Sequence, residues 1–418
     1  MNSRQRLEAT LNHKPVDRVC VDFGSTAVTG ITASALSRLR KAVLGKNDYR
    51  VKVIEPYQIL GEIDEQLREA LGIDVIGIVP PKTLFGFKNT DWKEFRLFDG
   101  TEVLVPGKFN VTEDANGDLL IYPEGDMSVP PTGRMPKNGF YFDAICRQRP
   151  IDEDKLDPAD NLTEFGLLST SDLTYFKNAA RKHADSGKGV IMTVPGTAFG
   201  DIALIAATWA KHVKGIRDVE EWYISTAIRR DYVYKVFEGQ CEIALKNLEQ
   251  LNKAVGKVPQ AAFVTGTDFG TQRGLFISIK AYRDLFKPFH KAVNGWIHKH
   301  TNWKTFAHSC GGIYELLPDF IDAGFDIINP VQCSAEGMDA GRLKREFGKD
   351  LVFWGGGVDT QKTLAFGTPD EVYKEVTERI HIFNDNGGFV FDAIHNIQAT
   401  TPTENMLAMF KAIKDSSN

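Results

Sequence analysis

His308 and Cys310 are separated by one residue and directly follow the apolar run Lys304–Ala307. In extended backbone, side chains at i and i+2 point the same way, so an imidazole nitrogen and a thiolate there can converge on one ion. Zinc favours such a mixed donor set, and a catalytic zinc commonly has three protein ligands and one open position. Two residues could supply the third ligand: His395, after the run Phe389–Phe391, and Cys333, after Ile327–Asn329. The same pattern also fits a hydrogen-bonded core histidine beside an inert thiol. Asp268 follows Ala261–Thr265 and is flanked by Gly266 and Gly270. A carboxylate there can serve as a general base, bind a substrate amine or cap a turn. The Gly355-Gly356-Gly357 run allows close backbone approach to a ligand, and its amides could hold a carboxylate or phosphate. No Lys-Ser or Lys-Thr follows it, so it is not a Walker-type loop.

Each of these groups stands at the end of a strand-length apolar run. Further runs are Arg18–Phe23, Ile73–Val79, Gly189–Val194 and Leu351–Trp354. Helical spacing fills the gaps at Ala33–Val43, Glu62–Leu71, Ser171–Ala184, Ile202–Val213, Val219–Leu251, Ile279–Lys299, Ile313–Ala323, Ala340–Phe347, Pro369–Asn384 and Pro402–Lys414. Alternating strands and helices predict parallel strands with helical crossovers. About eight such units favour a closed (β/α)8 TIM barrel, whose functional groups lie at the C-terminal strand ends. The aromatics of Trp222–Tyr234 fall at helical spacing and read as core.

One stretch breaks the alternation. From Trp92 to about Asp126 the pattern predicts β-hairpins turning at Asp99-Gly100 and Asn116-Gly117. Asp126 to Asn161 is irregular and rich in Pro and Asp. Residues 92–161 are therefore expected to be an insertion in an early βα loop of a single barrel domain spanning 1–418. Such an insertion could form a lid, a subunit contact or a plain surface excursion.

The formal net charge of −5 over 418 residues gives no electrostatic reason to expect nucleic acid or an anionic membrane as a partner. There is no run of about 18 apolar residues, and the N-terminus opens on a polar helix. A cytoplasmic protein is expected. Five cysteines, an odd number, read as buried thiols or metal ligands rather than disulfides.

Several segments together resemble the uroporphyrinogen decarboxylase superfamily. They are Arg4–Ala9 with Lys14–Val19, Thr267–Gln272, Ala307–Gly311, Trp354–Thr360 and His395–Gln398 followed by Thr401–Asn405. The true decarboxylases of that superfamily use no metal. They hold a tetrapyrrole with an arginine-rich segment near the N-terminus and an aspartate after an early strand. This chain instead reads Val19-Cys20-Val21-Asp22-Phe23-Gly24 and, after Val79, Pro80-Pro81. The resemblance is closer to the methyltransferase-like branch of corrinoid-dependent methyltransferases and O-demethylases. It implies zinc held by His308 and Cys310, with His395 where that branch has a late cysteine and Cys333 in reserve. It further implies that Asp268 positions substrate or acts as base, and that Gly355, Gly356, Gly357 and Gln398 line the cavity. The implied reaction moves a methyl group between a small molecule and either a thiol or a corrinoid carried by a separate partner protein; a homodimer is also implied. The alternatives are a metal-independent decarboxylase of a porphyrinogen or other carboxylate, and a non-catalytic barrel that binds a small ligand or tetrapyrrole.

Overall fold

The computed structural model describes residues 1–45 and 48–416. Eight strands form one parallel sheet: β1 (Cys20–Val21), β2 (Val75–Ile78), β3 (Gly189–Thr193), β4 (Ala261–Thr265), β5 (Lys304–His308), β6 (Ile327–Asn329), β7 (Val352–Trp354) and β8 (Phe389–Phe391). Their order is β1-β8-β7-β6-β5-β4-β3-β2, which follows the chain around a (β/α)8 barrel. The seam lies between β1 and β2. There the Asp74 amide donates to the Val21 carbonyl at 2.8 Å. The fully buried Asp74 carboxylate also accepts from the Val21 amide and pairs with Arg6 and Arg18, each at 2.7 Å.

Period-2 alternation sorts the strand residues into two layers. Cys20, Val75, Ile191, Ala261, Phe306, Ile327, Val352, Trp354 and Val390 pack together inside the barrel, apart from the larger core that strands and helices share. Leu7 and Leu11 of the first helix, Ser3–Leu11, belong to this inner cluster and close the barrel floor. Gly189, the first residue of β3, must be glycine for this, because a Cβ there would stand 2.5 Å from Leu7. Two residues further along each strand, the inward positions become Asp22, His308, Asn329 and Asp392. The packed floor thus ends where chemistry-bearing side chains begin.

The insertion contains the expected hairpins, Lys93–Arg96 with Glu102–Val105 and Val111–Glu113 with Leu119–Ile121. Gly100 (φ 86°) and Gly117 (φ 83°) take left-handed conformations in their turns. The first hairpin is extended by Val51–Glu55, which pairs parallel to it, and the second by Gly133–Met135 and Asp143–Ala144.

Two helices differ from expectation. The one expected over Ile202–Val213 stops at Ile205. Ala207 turns to φ 46°, Arg147 of the insertion donates to the Ala207 and Ala210 carbonyls, and Thr208 donates to the Leu84 carbonyl. Partners from elsewhere in the chain thus take the place of helical ones. The long helix expected over Val219–Leu251 divides into Val219–Ile228 and Arg230–Val255. Arg229 sits at the break, with its guanidinium paired to Glu153 and Glu221. Among the described residues no helix is long and apolar enough to cross a membrane, and all five cysteines are free.

Candidate metal centre

His308 is the last residue of β5 and is almost fully buried. Its Nδ1 lies 2.6 Å from Asn329 Oδ1, at the end of neighbouring β6. The Asn329 amide group in turn donates through Nδ2 to the Trp354 carbonyl at 2.9 Å. That second bond fixes which end of the amide faces the imidazole. An oxygen faces His308, so Nδ1 carries the proton and the Nε2 lone pair is left for a ligand. Nε2 looks towards Cys310, whose Sγ is 3.4 Å away.

Cys310 is set by two loops that touch along their backbones. Its amide donates to Asp268 Oδ1 at 2.7 Å, the Phe269 amide donates to Ser309 Oγ at 3.0 Å, and the Gly312 amide donates to the Thr271 carbonyl at 2.8 Å. Gly311 (φ 87°) is required, because a Cβ there would stand 2.4 Å from the Gly270 carbonyl carbon. Gln332 accepts from the Gly311 amide at 2.7 Å. Asp268 Oδ1 is 3.9 Å from His308 Nε2, so the carboxylate borders the cluster.

His395 arrives from β8 by a strained route. Its φ is 101°, a conformation that costs a non-glycine residue roughly 1–3 kcal/mol. Bonds on both sides hold it there. The Ile394 amide donates to the Val358 carbonyl at 3.0 Å. Asn396 accepts from the Gly30 amide at 2.5 Å and donates to Ala27 and Gln58. The strain brings the imidazole across the mouth, with its ring centroid 5.4 Å from that of His308.

One donor atom each from His308, Cys310 and His395 lie within 4.8 Å of one another. Zinc bonds of about 2.0–2.3 Å in a tetrahedron imply donors about 3.3–3.7 Å apart. The Sγ to Nε2 distance already fits, and the wider set needs a shift of about an ångström. The residues present therefore fit a zinc ion. The electrostatics agree. Burial lowers the pKa of both histidines to about 4, and His308 also lowers that of His395, so both imidazoles are neutral. Burial, then the nearby Asp268, pushes the Cys310 thiol well up, so only a cation would make it a thiolate.

The remaining expected residues fall elsewhere. Cys333 is not part of this group. Its thiol, pushed up to about 12 by burial, lies near Arg379 and Glu375 in the helical layer. The glycine run is buried, but the Gly355 and Gly357 amides already donate to the Val390 and Asp392 carbonyls. Those two amides are not available to hold an anion. The glycines are needed instead for packing, since a Cβ on Gly357 would stand 2.3 Å from the Phe391 ring. Gln398 is half-buried and donates to the Asn396 carbonyl.

Sequence reasoning missed Asn329, Asp201 and Tyr223. Asp201 caps the Ala203 amide, and burial, together with Asp268, raises its pKa to about 6. The Tyr223 hydroxyl donates to the Asp268 carbonyl at 3.2 Å. For Asn329 the strand-end position was a usable signal. Asp201 lies on a connection with no periodic signal pointing inward, and Tyr223 lies on the helix Val219–Ile228, where its spacing read as core. A cleft of about 460 Å³ lined by Arg38, Asp99, Phe140 and residues 399–404 contains none of these groups.

Residues 227–416, which carry Asp268, His308, Cys310 and His395, match the family model "Uroporphyrinogen decarboxylase (URO-D)". That part of the chain, somewhat less than half of it, is similar to the uroporphyrinogen decarboxylase family. No curated protein matches the sequence significantly. Among solved structures, a methyltransferase from Methanosarcina mazei is similar over 99% of this chain and 99% of its own, with a TM-score of 0.54 and 16% sequence identity. At that identity the likeness speaks for the fold. This protein therefore shares its barrel fold with that methyltransferase along almost the whole length of both chains.

Proposed function

We propose that this protein is a zinc-dependent methyltransferase that moves a methyl group between a small molecule and a thiol or a corrinoid held by a partner protein. The observation that carries the reading is the meeting of His308, Cys310 and His395 at the barrel mouth, with Asn329 leaving the His308 Nε2 lone pair free. Zinc, when bound, would supply Lewis acidity to a methyl acceptor. Two imidazoles and one thiolate donate less charge than a set with two thiolates, which favours a harder acceptor. The chain's own residues do the rest. Asp268, whose carboxyl is raised above its ordinary range by burial, stands beside Cys310 to take the proton an acceptor gives up. The packed floor of Phe306 and Trp354 keeps water from below. For a thiol acceptor, a sulfur–carbon bond forms as the donor's bond to the methyl breaks, the donor keeps that electron pair, and the thiol proton leaves.

Decarboxylation of a porphyrinogen is less well supported. The inward strand-end positions carry Asp22, Asp392 and a neutral His308 but no lysine or arginine, so a polycarboxylate would find no positive partner there. The test is metal analysis of protein purified without added metal, together with demethylation of free methylcobalamin in the presence of small thiols and alcohols. Zinc near one per chain, lost in His308→Ala, together with turnover is the expected result. Less than about a tenth of a zinc per chain, unchanged in that variant, or turnover of uroporphyrinogen without metal, would overturn it.

A further inference from the structure

Asp22 and Asp392 extend β1 and β8 by one residue each, at inward positions of the two neighbouring strands. The strands run parallel in the register Cys20 with Val390 and Val21 with Phe391, and the Asp22 amide donates to the Phe391 carbonyl at 2.9 Å. The two carboxyl groups therefore stand side by side on the inner wall, 0% and 1% exposed. Asp22 Oδ2 accepts from Ser25 Oγ at 2.6 Å and from Trp354 Nε1 at 3.0 Å. Asp22 Oδ1 and both oxygens of Asp392 have no hydrogen-bond partner of ordinary geometry; the Thr29 hydroxyl and the Ser25 amide are turned loosely towards Asp22, and the Ala393 amide towards Asp392.

Three buried carboxyl oxygens without a well-formed hydrogen bond are a costly arrangement for a charged pair, and two routes relieve it. One is a proton shared between the acids, which draws their oxygens to about 2.5–2.7 Å. No hydrogen bond joins Asp22 to Asp392 among the described residues, so they do not stand in that geometry. The other route is a positive charge between them. No described lysine, arginine or histidine forms an ion pair with either acid, so the protein does not supply one. Burial raises both pKa values, and the nearby Asp22 raises that of Asp392 further.

We propose that Asp22 and Asp392 form a second site, distinct from the His308, Cys310 and His395 group, which binds a small cation. The shared chemistry is a compact positive charge taken by carboxylate oxygens. Its source is either a hard metal ion or the ammonium head of a substrate. The inference does not rest on the zinc reading.

The test uses the full chain in a buffer whose only cation is bulky N-methylglucamine. Potassium, magnesium, calcium and methylammonium chlorides are titrated at constant ionic strength, with thermal unfolding and calorimetric heat as readouts. At least one probe should raise Tm saturably, by about 3 °C at a hundredfold excess over Kd. The rise should vanish in Asp392→Asn and in Asp22→Asn, and persist in His308→Ala. A response to a metal ion alone assigns the inorganic source, and one to methylammonium alone assigns the substrate head; either supports the site. No heat and no rise with any probe, or a rise that persists in whichever Asp variant folds, overturns it. Persistence in His308→Ala separates this result from any failure of the zinc site.

Discussion

Replacing Asn329 with leucine, which shares its branched skeleton but has no polar atoms, tests how His308 is prepared. The asparagine is fully buried and makes two bonds, one from His308 Nδ1 and one to the Trp354 carbonyl. Leucine removes both and strands a buried N–H and a buried C=O. Each stranded group costs about 1–3 kcal/mol; with partial relaxation of the site at the upper end, the total loss is about 2–5 kcal/mol. Unfolding entropy of about 2.1 cal/mol/K per residue converts this to a fall in Tm of about 2–5 °C for a chain of 418 residues. The effect on metal is more specific. Without the bond to Nδ1, the imidazole is free to turn or to carry its proton on Nε2, and losing such a partner weakens metal binding about 10–100-fold. Zinc Kd is measured by competition with a chromophoric chelator. Asn329→Asp separates the two effects, because its carboxylate still accepts from Nδ1 but cannot donate to Trp354. It should lose stability yet keep zinc affinity within a few-fold of wild type. If Asn329→Leu binds zinc as tightly as wild type, the tautomer argument is wrong.

Zinc binding itself should release one proton per ion near pH 8, measured by calorimetry in buffers of different ionisation enthalpy. The proton comes from the Cys310 thiol, held protonated by burial, while the two histidines with pKa values of about 4 have none to give. Release of two protons, or none, would contradict this. At position 395 the usual order of helix- and strand-friendly residues should reverse. His395→Gly should be more stable than His395→Ala by about 1 kcal/mol in urea unfolding, because only glycine adopts φ 101° freely. His290 gives a pH dependence with a definite sign. Burial lowers its pKa to about 3, so below pH 6.5 the unfolded chain takes up a proton that the folded chain refuses. Its contribution to stability is therefore lost progressively as the pH falls from 6.5 towards 3. Relative to His290→Phe, wild type should lose up to about 1.4 kcal/mol per pH unit in that window; parallel pH profiles would show the assignment to be mistaken.

What could be read in the sequence was the part governed by local periodicity. The runs before His308 and before Asp392 are apolar on both faces, so their register fixed which side chains face inward, and the His-x-Cys spacing did the rest. The hairpins were legible because Asp99-Gly100 and Asn116-Gly117 are chemically committed to turns. The errors came from partners distant in sequence. Nothing within Ile202–Val213 announces that Arg147 will take its carbonyls. The glycines at 355–357 have the composition of an anion-binding loop, yet they serve close packing against β8. By position alone Cys333 and His395 could each supply the third ligand, since each follows a strand, and it was the resemblance that put His395 first and Cys333 in reserve. Only the three-dimensional path, with its strained turn at 395, decides which one reaches His308.

The floor made by Leu7 and Leu11 has a kinetic consequence. With the lower end of the barrel plugged, whatever reaches the centre of the molecule enters and leaves through one door. A narrow well with a single opening serves its visitors in turn. Direct methyl transfer needs donor and acceptor in that well together, so the reactant that sits deeper must enter first and leave last, and initial-rate plots against the two reactants should intersect.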